Sequence, residues 1–356
     1  MKKTIAIFSG PSWEKWDYRN INQNGIGGSE TWEIMLSREF SNLGYRVLNF
    51  NDCQEEINDG LVKYIPFSKF TEHVEYNYFD CFVASRTTDV FKLPIRAGKK
   101  FVILHDIWLS NKNVVPYQEK VDKFLVLSEW HKNFVHRHHN IPLDRLLITS
   151  NGIDLNRYAK QVERNPYRLH WSSSLDRGLD TLLHLFDVIK FNIPELELHI
   201  YYGIDNWVKS AQQRPGEMQK IEALQAAMKK DGIFYHGRIG QDRLAEEQLK
   251  SSLWAYPTDF EESNCITALE CQAAGLPVIA SNYAGLKTTI GNSGILIGNG
   301  TKGQSYRLDY RIEFVRKCVQ LLKNKELWDF WSQKSLDNAK HKTWENIAKQ
   351  WVEKIL

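Results

Sequence analysis

The sequence predicts an α/β protein built as two doubly wound, parallel-sheet domains, and three observations carry that expectation. Short β-rich runs alternate with helical patterns along the whole chain, as βαβ units require. Twelve such runs are too many for one comfortable sheet of this size. A length of 356 residues also favours two domains over one.

The first half carries β-rich runs at Thr4–Phe8, Arg46–Phe50, Cys81–Ala84, Phe101–Leu104, Phe124–Leu127 and Leu146–Thr149. Turn formers and charges then interrupt the pattern from Asn151-Gly152-Ile153-Asp154 to Asn165-Pro166, which marks the domain boundary. The second half resumes with Leu169–Trp171, Leu198–Tyr202, Ile233–Tyr235, Leu253–Tyr256, Val278–Ala280 and Ile295–Ile297. An amphipathic helix is predicted over Tyr306–Lys323 and a further helix over Leu327–Lys340. After a break at His341-Lys342-Thr343 a last helix starts, N-capped by Thr343, with an apolar stripe at Trp344, Ile347, Ala348, Trp351, Val352 and Ile355.

Composition narrows the function classes. With 46 basic against 43 acidic residues the chain does not read as a dedicated nucleic-acid binder. No apolar run approaches the roughly 20 residues needed to span a bilayer, so membrane association is expected to be peripheral at most. The apolar core of the first ten residues is too short for a secretory signal. Five cysteines, odd in number and without metal-like pairing, read as reduced thiols in a cytoplasmic protein.

The most informative stretch is Thr258 to Ala280, which carries Glu262 and Glu270. A buried strand is predicted to end at Pro257, and a helix to run from Asn264 to a stop at Gly275-Leu276-Pro277. Glu262 then sits in the strand-to-helix loop and Glu270 about one turn inside the helix. Between them lies a helix N-terminus, whose N–H groups and positive dipole end suit a phosphate. Two carboxylates flanking an anion site suit a ligand with hydroxyl-rich groups on both sides of a phosphate, the shape of a nucleotide-sugar.

Other motifs read more plainly. Gly25-Ile26-Gly27-Gly28-Ser29-Glu30 lacks the third glycine of a dinucleotide fingerprint and lies too far from the first strand. His131, His136, His138 and His139 lack carboxylates or cysteines at ligand spacing and read as a solvated helix end. Pro11 to Asn20 is a long loop after the first strand, where open α/β sheets bind ligands. Its Trp13, Trp16 and Tyr18 are candidate acceptor-binding residues.

These segments together resemble the retaining glycosyltransferases of family 4, over nearly the whole chain. The resemblance rests on Gly27-Gly28-Ser29-Glu30, Ser128-Glu129-Trp130, Asn151 to Asp154, Ser172 to Leu179, and the two glutamates with Ala273-Ala274-Gly275-Leu276-Pro277-Val278. It implies the GT-B fold, two Rossmann-like domains facing across a cleft. It also implies that the last helix returns to the first domain, which gives residues 1–155 plus 341–356 on the acceptor side and 156–340 on the donor side. It implies that Glu262 holds donor-sugar hydroxyls, Glu270 the ribose, and Arg177 the diphosphate in place of the family's lysine. Asn264, Cys265, Ile266 and Thr267 at the helix start, with Arg238 and Gly28, complete the implied donor set. His105 corresponds to the family's histidine near the reacting bond.

The sequence departs from the pattern in three places. Ser172 stands where the family has an arginine, Ser263-Asn264-Cys265 replaces a glycine-phenylalanine-glycine, and the family's glutamate is absent from Tyr283 to Thr288. These changes bear on which donor is used more than on the reaction class. The expected reaction moves a sugar from a nucleoside-diphosphate-sugar to a glycan or lipid-linked acceptor, with no metal or other cofactor. The alternatives are another GT-B enzyme, such as an epimerase or phosphorylase, or a non-catalytic carbohydrate-binding subunit.

Overall fold

Each of the twelve β-rich runs forms a strand in the computed structural model, which describes residues 2–107, 115–211 and 215–356. The chain divides into two units, one of residues 1–21, 26–152 and 342–356, the other of residues 22–25 and 153–341.

The first unit contains β1 (Thr4–Phe8), β2 (Arg46–Asn51), β3 (Ile57–Asn58), β4 (Val62–Pro66), β5 (Phe79–Ser85), β6 (Ala97–Ile103), β7 (Lys123–Val126) and β8 (Leu146–Ile148). Its helices are α2 (Gly28–Asn42), α3 (Phe70–Tyr76) and α4 (Glu129–His139), while α1 (Asn20–Gln23) starts in this unit and ends in the residues 22–25 assigned to the other. The strands form one sheet in the order β3-β4-β2-β1-β5-β6-β7-β8. All neighbours are parallel except β3 and β4. Parallel strands are covered on both faces, and Ile5, Ala6 and Ile7 of β1 are accordingly buried. Strands β3 and β4 were not predicted. The first is too short to show a period, and Val62-Lys63-Tyr64-Ile65-Pro66 mixes a lysine and a proline into its apolar run.

The second unit contains β9 (Arg168–Trp171), β10 (Glu197–Ile200), β11 (Ile233–Tyr235), β12 (Leu253–Tyr256), β13 (Val278–Ser281) and β14 (Ile295–Ile297). Its helices are α5 (Leu179–Asn192), α6 (Asp205–Ala211), α7 (Glu217–Ala227), α8 (Gln241–Leu249), α9 (Ile266–Ala273), α10 (Leu286–Ile290), α11 (Leu308–Lys323) and α12 (Lys325–Ala339). The strand order is β11-β10-β9-β12-β13-β14, parallel throughout. One apolar core runs through this unit, from Leu169 and Phe186 to Val278 and Phe314.

The chain then re-enters the first unit as α13 (Trp344–Lys354), and Thr343 caps it by accepting from the Asn346 N–H at 3.2 Å. Trp344, Ile347, Ala348 and Trp351 of the α13 apolar stripe are buried and Val352 is half-buried, with the helix packed on α2. Trp351 packs 5.7 Å from Trp32 and 5.6 Å from Phe40, and its indole N–H donates to Thr149 Oγ1 at 2.7 Å. Gly152 admits this helix, since a Cβ there would lie 2.7 Å from the Trp344 ring. Among the described residues, no helix is long and apolar enough to cross a membrane.

Candidate functional site

Open parallel sheets bind ligands outside the carboxyl ends of their strands, where the strand order reverses. In the second unit that point lies between β9, which leads to β10 on one side, and β12, which leads to β13 on the other. The loop after β9 carries Arg177 and the loop after β12 carries Glu262. Gly178 lets the loops approach. It has a φ of +105°, and a Cβ there would lie 2.6 Å from the Pro257 carbonyl oxygen.

The two predicted side chains meet. Arg177 Nη1 donates to Glu262 Oε1 at 3.2 Å, and its guanidinium lies 4.1 Å from the centre of the Phe260 ring. Glu262 is buried, and its Oε1 also accepts from the Tyr256 hydroxyl at 2.7 Å. Tyr256 is itself fully buried, stacked 4.6 Å from Trp254. Burial first, then the charge of Glu262, pushes the Tyr256 phenol well above its ordinary value, so it remains a donor. Burial works against the charge of Arg177, but Glu262 holds the guanidinium above its ordinary range. Loop 283–285 backs this arrangement, with Gly285 N–H donating to the Glu262 carbonyl at 2.8 Å.

Immediately after this loop α9 begins. Cys265 is its N-cap residue. The backbone N–H groups of Ile266 and Thr267 therefore stand at an anion-favouring end. Asn264 is turned inward and donates to Thr289 Oγ1 at 3.2 Å. One turn into the helix, Glu270 neighbours Gln248 and Arg157. Burial pushes its carboxyl up to about 7, against the opposing pull of Arg157 and the Gln248 hydrogen bond. Gln248 is held in turn by the Tyr158 hydroxyl at 2.8 Å. Arg238 donates to the Gly25 carbonyl at 2.6 Å.

In the first unit the strand order reverses between β1 and β5. His105 lies two residues beyond β6, buried, 5.1 Å from Trp32 in an edge-on contact. Burial, then Arg86, holds its imidazole well below its ordinary value, so it stays neutral. Gly28 opens α2. The loop after β1 separates the three aromatic candidates. Trp13 is 88% exposed, Trp16 is only 3% exposed, and Tyr18 stacks 5.7 Å from Tyr64. Trp16 is thus packed into its own unit, its backbone N–H donating to the Asp52 carbonyl at 3.1 Å. Its ring has no face left for a ligand.

Sequence reasoning missed several residues here. Arg86, at the carboxyl end of β5, has a φ of +64° and pairs with Asp106 at 2.7 Å and Glu30 at 3.4 Å. Glu33 on α2 is buried, accepts from Ser9 Oγ at 3.2 Å, and is pushed well above the usual carboxylate range by burial. Tyr256 was read only as a strand residue. The histidine reading needs correction in one respect. His131 is fully buried, its Nδ1 accepting from the Leu127 N–H at 3.2 Å, because α4 packs that face inward. Among the described residues, no group of three or more potential ligands is placed to hold a metal ion.

With this geometry in hand, comparison with known proteins is informative. Residues 171–334 match the family described as "Glycosyl transferases group 1". A D-inositol 3-phosphate glycosyltransferase of Streptomyces scabiei is 25% identical over 177 residues, covering 45% of this chain and 39% of that relative. The chain thus aligns with well under half the length of that protein. Among solved structures, sucrose-phosphate synthase from Thermosynechococcus elongatus superposes with a TM-score of 0.71 at 17% identity, over 99% of this chain and 98% of that one. WaaG, a glycosyltransferase involved in lipopolysaccharide biosynthesis, gives 0.69 at 14% identity, over 98% of both chains. Anabaena HepE, solved in complex with UDP and glucose, gives 0.68 at 14% identity, over 99% of both. At these identities the structural likenesses establish the fold, which is GT-B.

Proposed function

We propose that this chain, whose residues 171–334 match the glycosyl transferases group 1 family, transfers a sugar from a nucleoside-diphosphate-sugar to a glycan or lipid-linked saccharide, with retention and without a metal. The observation that carries this reading is the Arg177–Glu262 pair at the strand-order reversal, beside the start of α9, which carries Glu270 one turn in. A ligand with a diphosphate between two polyols can divide such a pair. Its phosphates take the guanidinium and the N–H groups of Ile266 and Thr267, and its hydroxyls take the carboxylates.

In this reading Glu270 and its neighbours hold the ribose, Glu262 the transferred sugar, and Arg177 the departing charge. Asn264, Cys265 and Arg238 shape the donor pocket, and Gly28 lets backbone approach a ligand in the first unit. His105, neutral, donates or accepts at the reacting bond. Trp13 and Tyr18 remain acceptor-side candidates. HepE's complex with UDP and glucose makes UDP-glucose the first donor to try.

A thermal-shift panel of UDP, GDP, ADP and TDP sugars in excess EDTA tests the proposal. A donor at 100 times its dissociation constant stabilises the fold by about 2.7 kcal/mol. Proton NMR of the product then reads the anomeric configuration. The reading is overturned if no nucleotide-sugar stabilises the protein, and its stereochemical part fails if the product is inverted.

A further inference from the structure

Arg177 also lines a second cavity, of ≈ 660 Å³, whose walls contain neither Glu262 nor Glu270. That size suits a small-molecule or short oligomeric ligand. The cavity lies wholly within the second unit, between the start of α5, α6, α7 and the loops after β12 and β14. Its floor is apolar, with Leu183 and Leu224 buried, and its walls carry the rings of Trp207, Phe260 and Tyr306.

The charges around it are unevenly available. Lys220 is paired with Glu217 at 2.7 Å, Lys230 with Asp187 at 2.6 Å, and Arg177 with Glu262 at 3.2 Å. Of the four carboxylates that line the cavity, Asp176 accepts from Ser174 Oγ, Glu217 from Lys220 and the Trp207 indole N–H, and Asp259 from the Gly303 N–H and Ser305 Oγ, while Asp180 stands exposed on the first turn of α5. Ring faces and hydrogen-bond acceptors are therefore what a ligand meets. A phosphorylated ligand would be repelled by the carboxylates, and a pure hydrocarbon would take Asp180 out of water without a partner. A pyranose fits both demands, with C–H faces for the rings and hydroxyl donors for the carboxylates.

We infer that this cavity is a second saccharide site, which takes a segment of a neutral oligosaccharide. Its occupancy does not depend on the proposed transfer reaction, although that reaction identifies the oligosaccharide as the chain being extended. Because Arg177 both lines this cavity and pairs with Glu262, sugar bound here and nucleotide bound at the Arg177–Glu262 pair influence each other's affinity reciprocally.

The full chain labelled with 5-fluorotryptophan provides the test. The Trp207 fluorine line is assigned with Trp207→Phe, and maltotriose, cellotriose, mannotriose and chitotriose are titrated separately. At least one should move that line saturably. Tyr306→Ala and Asp180→Asn alter exposed side chains and should leave the fold intact, yet each should weaken the response about tenfold. The inference is overturned if no trisaccharide moves the Trp207 line, or if both variants bind as tightly as the parent. UDP titrated in parallel separates the two readings. Saccharide binding without UDP binding would remove the proposed donor function and leave this site standing, whereas UDP binding alone would remove this site.

Discussion

Arg177 and Glu262 hold each other at 3.2 Å with a third partner, Tyr256, on the same carboxylate oxygen. In the proposed reaction a donor that claims the guanidinium would leave Glu262 anchored by Tyr256, and the phenol would then fix where the carboxylate meets the sugar. Tyr256→Phe should therefore lower kcat by about tenfold or more while leaving the affinity for bare nucleotide unchanged. Steady-state kinetics beside calorimetry would separate those effects, and an equal loss in both would make Tyr256 merely structural. Glu270 gives a pH dependence. Its folded carboxyl lies at about 7, above the ordinary 4.5, so the stability it contributes is complete below 4.5 and is lost as pH rises through about 7. The ionised form is the better ribose acceptor, so nucleotide affinity should rise from pH 6 to pH 8. Glu270→Gln should flatten that rise, and an unchanged profile in the variant would place the titration elsewhere. The spacing of the two glutamates was legible in the sequence because both lie in one strand–loop–helix segment. The pairing with Arg177, 85 residues away, was not. The same holds for Arg86, whose positive φ is imposed by tertiary neighbours.

At the scale of elements, the approach of the β9–α5 and β12–α9 loops depends on Gly178. Any side chain there must adopt a left-handed conformation and meet the Pro257 carbonyl. Gly178→Ala should cost about 1–3 kcal/mol in urea unfolding and displace Arg177. Unchanged stability would show that the loops can part without penalty. Helix α13 makes a comparable demand on the first unit. Trp351 is fully buried between Trp32 and Phe40, so Trp351→Ala should cost about 3–5 kcal/mol. Loss of less than about 1 kcal/mol would mean that α13 does not complete that core. The stripe of α13 and its Thr343 cap were readable because a surface helix announces its buried face by period. Strands β3 and β4 were not, since a two-residue strand and an edge strand ending in proline carry no such signal. Trp16 misled for a related reason. An aromatic residue in a long loop looks the same whether it faces a ligand or plugs its own unit.

For the whole molecule, alternation of buried strands and helices left a strong trace, because parallel sheets need both faces covered and each crossover needs a helix. That is why the two-sheet α/β architecture was legible before any coordinates. The surroundings of the strand-order reversal in the first unit were not, because they are built from loop residues and long-range pairs such as Arg86–Asp106 and Ser9–Glu33. The central claim is that the strand-order reversal of the second unit binds a nucleotide-sugar through two carboxylates with different tasks. Calorimetric titration of UDP, GDP and ADP, in EDTA, into the parent, Glu270→Ala and Glu262→Ala proteins tests it most directly. One nucleotide should bind the parent. Glu270→Ala should lose about 1.5–3 kcal/mol of that affinity as the ribose loses its charged acceptor. Glu262→Ala should bind bare nucleotide as tightly or more tightly, because Arg177 is released from its partner. Equal losses in the two variants, or no binding by the parent, would contradict the account.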